Sequence, residues 1–321
     1  MDASDIDLFE RSVRQATERH TGDALDGALG DLGWLDALAA DPSTAVSILF
    51  SLQGAANATS SALGQVAATT LGLDPTTGAT ALPAPGTWAP PGVIHDGRLS
   101  VRGVATASLP GTDHTVVAAT SAGGNAPVVA TVRTSDLNVR AVLGIDPAFG
   151  LVQVTGDDIS FEECSDAAEN PWGPTVVLAR LALSYEILGA ARTMLALARE
   201  HAVDRIQYGR PISMFQAVRH RLAESLVAIE AADAVVTATR ETPSPELAAI
   251  AKSLAGGGAR TAARHCQQVL AGIGFTAEHP FHRYYRRILV LDELFGSTHA
   301  LTHALGDELL RARRLPALLP L

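Results

Sequence analysis

Lysine is nearly absent from this sequence. Lys252 stands alone among many arginines, a bias that reads as the codon usage of a GC-rich genome rather than as chemistry. Cysteine is scarce too: Cys164 and Cys266 form no disulfide framework and lack metal-ligand spacing, which fits a reducing cytoplasm. Positive charge is in deficit. Lys+Arg 24 against Asp+Glu 34 leave a net charge of −10, so no basic face for nucleic-acid phosphates is expected. No apolar run reads as reaching the roughly 20 residues of a membrane-spanning helix. The N-terminus MDASDIDLFERSVRQ is acidic and amphipathic, unlike a secretory signal. What remains is a chain of 321 residues, 47% hydrophobic, long enough to share a large core among two or three compact units. Its expected location is cytoplasmic, with no membrane and no nucleic-acid partner.

Three textures follow one another. From Ile6 to about Leu73 the period is helical; LFERSVRQATERH puts Leu8, Val13 and Ala16 on one side of a charged helix. Residues 74–92 are crowded with proline and glycine and stop the helical pattern. Between Val93 and about Ser160, β-branched runs alternate with turns, among them HDG at 95–97 and AGGN at 122–125, predicting a small β unit of five or six strands. After EECSDAAENPWGP the helical period returns, first as one helix of about 30 residues and then as three or four more. The expected class is α+β and predominantly helical: an N-terminal helical domain over 1–85, a middle β domain over 86–165, and a C-terminal four-helix bundle over 170–321.

Two stretches in the bundle carry chemistry. RIQYGRPISMFQAVRHRLAE, starting at Arg205, gathers Arg, Gln, Tyr and Gly at a helix end; QVLAGIGFTAEHPFHRYYRR, starting at Gln268, follows about sixty residues later. The first resembles the acyl-CoA dehydrogenase signature R-x-x-F-G-x-x-[IL]-x-x-x-Q. The second resembles that family's Q-x-x-G-G-x-G-[FY]-x-x-E-x-P-x-x-[RK]-x-x-R-[DR]. The resemblance covers residues 170–300 and extends to the rest in architecture alone. It implies that the bundle packs on a neighbouring subunit and reaches that subunit's FAD. Arg205 would meet the pyrophosphate with its planar fork of donors, Tyr208 would lie beside the adenosine, and Gln207 and Gln216 would add hydrogen bonds. Gln268 and Gly272 would line the adenine end. Ala271 replaces the first glycine of the usual pair, a small loss of clearance.

Family members need a carboxylate to remove the α-proton of the thioester. The usual slot falls on Phe295 and a rarer one on Ala179, so both slots are apolar. Among nearby carboxylates, Glu293 would point to another helical face than Phe295, and Glu186 lies two turns beyond Ala179. The flavin-ring segment T-E-x-x-x-G-S-D also finds no counterpart. The resemblance therefore implies a short, non-catalytic subunit of a heteromeric, steroid-type acyl-CoA dehydrogenase, of α2β2 form. A catalytic partner would hold FAD and the acyl-CoA substrate, and an electron-transfer flavoprotein or similar acceptor would take the electrons. Two alternatives stay open: a self-sufficient homodimer whose base is Glu186 or another relocated carboxylate, and a scaffold subunit that binds no nucleotide.

Other clusters read as incidental. His299 and His303 share a helix face without a metal-site pattern, and His279 and His282 flank Pro280. GGGAR at 256–260 lacks the strand and lysine of a phosphate loop. Arg283, Tyr284, Tyr285, Arg286 and Arg287 fit a solvated or interface helix.

Overall fold

The computed structural model describes residues 3–121, 127–163 and 172–313. Cys164 and the AGGN turn at 122–125 lie outside these. Five helices come first: α1 (Ala3–Arg19), α2 (Asp23–Asp31), α3 (Trp34–Ala40), α4 (Pro42–Ala56) and α5 (Ala62–Thr70). Asp41 caps α4 by accepting the Thr44 N–H, with Pro42 at its first turn, a start built from a short acidic cap and a residue with fixed φ. On α1, Phe9, Val13 and Ala16 are buried, whereas Leu8 is 60% exposed; the buried stripe is one residue out of phase with the expected one on the Leu8 side.

The β unit begins earlier and holds more strands than the sequence suggests. Its strands are β1 (Ala79–Thr80), β2 (Leu82–Pro83), β3 (Gly92–His95), β4 (Arg98–Ala105), β5 (His114–Ser121), β6 (Val128–Arg133), β7 (Asn138–Ala141), β8 (Val152–Ile159) and β9 (Glu162–Glu163). They form one sheet in the order β7-β8-β4-β3-β5-β6-β9, with β1 beside β5 and β2 beside β4. Two-residue strands are too short to show alternation, which is why β1, β2 and β9 were invisible to periodicity. The HDG turn forms as expected: Asp96 and Gly97 both have positive φ and close the β3–β4 hairpin.

The bundle consists of α6 (Trp172–Asp204), α7 (Gln216–Glu241), α8 (Pro245–Leu270), α9 (Phe281–Glu293) and α10 (Thr298–Ala312). Helix α6 is its axis, packed on α4, α5, α7, α8 and α9. By length and composition α6 could also cross a membrane, with a mean hydropathy of 1.3 over its most apolar window, against the sequence expectation that no stretch would qualify. That window is 72% buried within the protein, so its apolarity serves the core.

Glycine sets how closely the helices approach. A Cβ at Gly54 would collide with the Glu186 carbonyl, and one at Gly189 with the Ser51 carbonyl, so α4 and α6 cross backbone to backbone. The GGGAR run lies inside α8. There a Cβ at Gly256 would collide with the Asp292 and Thr298 side chains, and one at Gly258 with the Ala228 carbonyl of α7. Those glycines are packing residues.

Candidate functional site

Up-and-down connection puts the end of α6, the start of α7, the end of α8 and the start of α9 at one end of the bundle. Both sequence motifs therefore share that end, and His201 of α6 is close enough to His279 for its charge to be felt there. Between α6 and α7 runs a small hairpin, β10 (Ile206–Gln207) and β11 (Arg210–Pro211), turned at Tyr208 and Gly209. Both turn residues have positive φ, 54° and 76°, the geometry of a two-residue turn that favours Asn-Gly. A tyrosine held there is strained. It is also 93% exposed, set edge to face with Phe215.

Arg205, Gln207, Gln216, Gln268 and Gly272 are exposed as well. Among the described residues no ion pair ties the Arg205 guanidinium, and its carbonyl anchors the hairpin by accepting the Ile212 N–H at 2.8 Å. Gln207 folds its amide back onto the Ile206 carbonyl. Gly272 has open space around its Cα. Ala271 has φ 51° and ψ −132°, so the glycine it replaces would have relieved backbone strain, a larger effect than clearance.

The other end of the bundle holds the base slot. Phe295 is 1% exposed and stacks on Trp172 with ring centroids 6.2 Å apart. The surrounding loop is pinned at the carbonyls of Asp292, Glu293, Phe295 and Gly296. Lys252 Nζ donates to the carbonyls of Asp292 and Gly296, each at 2.9 Å. Arg180 Nε donates to the Phe295 carbonyl at 3.1 Å, and its guanidinium carbon stands 5.1 Å from the Trp88 ring centroid. Gly86 N–H donates to the Glu293 carbonyl, and Trp172 Nε1 donates to the Trp88 carbonyl. Burial pushes Lys252 down to about 7 and Arg180 down to about 10. Lys252 is thus a chemical feature of the fold, contrary to the codon-usage reading. Its signal in the sequence was a lone lysine inside an Ala-rich helix; for Arg180 it was an arginine inside the apolar run VVLARLALSY.

Two carboxylates flank the slot, Asp292 and Glu293. Asp292 is locked, pairing with Arg260 at 2.6 Å and accepting from the Thr298 hydroxyl and N–H. Helix α9 ends at Glu293, so Glu293 and Phe295 do not share a helix and helical rotation does not separate them. That residue lines an outer groove with Arg260 and Thr298. Ala179 is fully buried. Glu186 is 1% exposed and stands 3.6 Å from Arg287 Nη1, an ionic contact too long for a hydrogen bond. Arg287 is itself buried, with Nε donating to Asp146 at 2.7 Å, Nη1 donating to the Ala58 carbonyl at 2.8 Å, and Phe149 against its flat face. It is a core residue, not part of a solvated face, while Arg283 and Arg286 of the same helix are exposed.

The remaining polar clusters keep to the surface or the core. His303 pairs with Asp307 at 3.2 Å, and no group of metal-ligating side chains occurs among the described residues. Burial raises the Cys266 thiol to about 12, which keeps it unreactive.

Comparison with known proteins agrees with this layout. The family model described as "Acyl-CoA dehydrogenase, C-terminal domain" matches residues 175–310. Over residues 175–310 the chain is thus similar in sequence to the acyl-CoA dehydrogenase family. Acyl-CoA dehydrogenase IpdE2 of Mycobacterium tuberculosis is 39% identical over 40% of this chain and 41% of its own length; the alignment thus spans about two fifths of that curated relative. Similar folds include a chain of the Tcur3481-Tcur3483 steroid ACAD G363A variant, with a TM-score of 0.79 and 22% identity over 97% of this chain and 99% of that one. The ChsE4-ChsE5 complex from Mycobacterium tuberculosis gives a TM-score of 0.78 and 19% identity over 99% of each chain. Acyl-CoA dehydrogenase architecture therefore extends through the N-terminal half, where sequence similarity fades.

Proposed function

We propose that this chain is a non-catalytic subunit of a heteromeric, FAD-dependent acyl-CoA dehydrogenase, completing the cofactor site of a catalytic partner. The observation that carries the reading is the filled base slot: Phe295 is stacked on Trp172 inside a loop held by Lys252 and Arg180. The groups that suit a nucleotide lie at the far end of the bundle and point outward. Lys252 and Leu270 are 270 − 252 = 18 residues apart on α8, about 27 Å at the helical rise.

The residues at that far end fit the ADP half of FAD. An unpaired arginine fork suits a pyrophosphate, an exposed aromatic ring suits adenosine, and Gln216 and Gln268 offer neutral hydrogen bonds. When bound, FAD supplies hydride acceptance at the β-carbon of an acyl-CoA thioester. This chain's share is binding and orientation: Arg205 neutralises phosphate charge, Tyr208 covers the base, and Gly209 makes the hairpin turn that presents both. The partner supplies the carboxylate base and the flavin-ring pocket. A self-sufficient enzyme based on Glu186 is disfavoured, because that carboxylate faces Arg287 in the core and lines none of the grooves described here.

The likeness to the Tcur3481-Tcur3483 steroid ACAD and to the ChsE4-ChsE5 complex supports a two-chain assembly and a steroid-type acyl-CoA substrate; the proposal further takes the assembly as α2β2, with an electron-transfer flavoprotein or similar acceptor in the cytoplasm. Co-expression with the genomic neighbour tests the core of the proposal. The lone chain should purify colourless and the pair yellow, and Arg205→Ala in the pair should weaken flavin retention about ten-fold or more. Full retention with Arg205→Ala would leave a scaffold role. A yellow, acyl-CoA-oxidising lone chain would overturn the proposal.

A further inference from the structure

A groove of about 480 Å³ lies between α1, α4, α6 and α7, within the range that holds small organic ligands. It includes neither the Phe295 slot nor the Arg205 hairpin. Its floor is aliphatic, formed by Ile48, Leu52 and Leu188, all buried. At the floor Gly189 lets α6 approach the backbone of α4 at Ser51.

Ion pairs occupy two of the three arginines that line the groove. Arg14 pairs with Glu10 at 2.7 Å, and Arg192 pairs with Asp233 at 3.3 Å and Glu230 at 3.1 Å. Arg240 also lines the groove and has no ion pair among the described residues. It lies one helical turn beyond Thr237, and both line the groove together with Tyr185. Tyr185 is only 7% exposed. Burial raises its pKa, so the hydroxyl remains a donor at neutral pH.

We propose that this groove binds a medium-chain carboxylate, its alkyl tail against Ile48, Leu52 and Leu188 and its carboxylate received by Arg240 beside the Tyr185 hydroxyl. A guanidinium with no ion pair among the described residues suits one negative charge. A phosphate or a CoA ester would bring its further negative charge against Glu10 and Asp233, and an ammonium head would meet Arg240. The site is independent of flavin binding and does not rest on the subunit role proposed above.

Calorimetric titration of the full-length chain with decanoate, decanol and decyltrimethylammonium tests this, repeated on the co-purified pair. Decanoate should bind saturably at one site per chain, with decanol about ten-fold weaker, the worth of one charge-assisted contact, and the cationic chain weaker still. Arg240→Gln should bring decanoate down to the decanol level. Ser51→Leu, which fills the floor, should abolish binding of both. Equal affinity for decanoate and decanol, or no effect of Arg240→Gln, overturns the carboxylate assignment. Absence of saturable decanoate binding overturns the site.

Discussion

Arg287 brings one positive charge into a buried space where two carboxylates wait for it. Asp146 takes the hydrogen bond at 2.7 Å and Glu186 is left at 3.6 Å. The carboxylate left farther from the guanidinium is the one to keep its proton: burial raises Glu186 to about 7, against the pull of Arg287. A carboxyl raised on folding contributes stability that is complete below its unfolded value near 4.5 and is lost as pH rises through about 7. Glu186→Gln removes that dependence. The variant and wild type should be similarly stable near pH 5, and by pH 8 the variant should gain roughly 1–3 kcal/mol relative to wild type, read from denaturant unfolding at each pH. A gap that stays constant across that window would refute the assignment. Lys252, fully buried on two carbonyls, gives a second residue-scale test. Amine-reactive labelling of the native chain should leave this lysine untouched, and modification should appear only on unfolding.

Elements show where strain and close packing were placed. At the β10–β11 turn, Tyr208 occupies a left-handed position that asparagine or glycine would hold more cheaply. Tyr208→Asn should therefore stabilise the isolated chain by about 0.5–1 kcal/mol while weakening flavin retention in the pair, a trade-off that a purely structural turn would not show. In α8, Gly256 faces Asp292 and Thr298 with no room for a methyl group. Gly256→Ala should lower the melting temperature although alanine is the better helix former. Periodicity made the long elements legible, α6 above all, because 33 residues of helical pattern are hard to mistake. The Arg205 and Gln268 motifs were legible as motifs. What stayed hidden was non-local: which glycines face another backbone, which lone cation is buried, and that Arg287 belongs to the core. Each depends on a partner far along the chain, Ala58 and Asp146 for Arg287, and no local pattern encodes such a pairing.

At the scale of the whole molecule, the two ends of the bundle make different demands on an assembly. The Arg205 end offers donors outward with nothing of its own to hold, and the Phe295 end is filled by aromatic side chains and pinned by two buried cations. In a heteromer under the proposed function, this chain completes the partner's cofactor site, whereas the corresponding end of the partner would face a slot that is already occupied. Flavin content should then be about half that of a homomeric family member, near one FAD per pair of unlike chains. Quantifying released flavin against total protein in the purified complex measures this directly. The asymmetry also predicts which arginine matters: Arg205→Ala in this chain should empty the site, while the equivalent change in the partner should leave flavin content unchanged. Two flavins per pair would mean that the Phe295 loop opens on assembly, and equal sensitivity to both arginine changes would mean that both chains hold cofactor. Either result would remove the basis for assigning this chain a purely completing role.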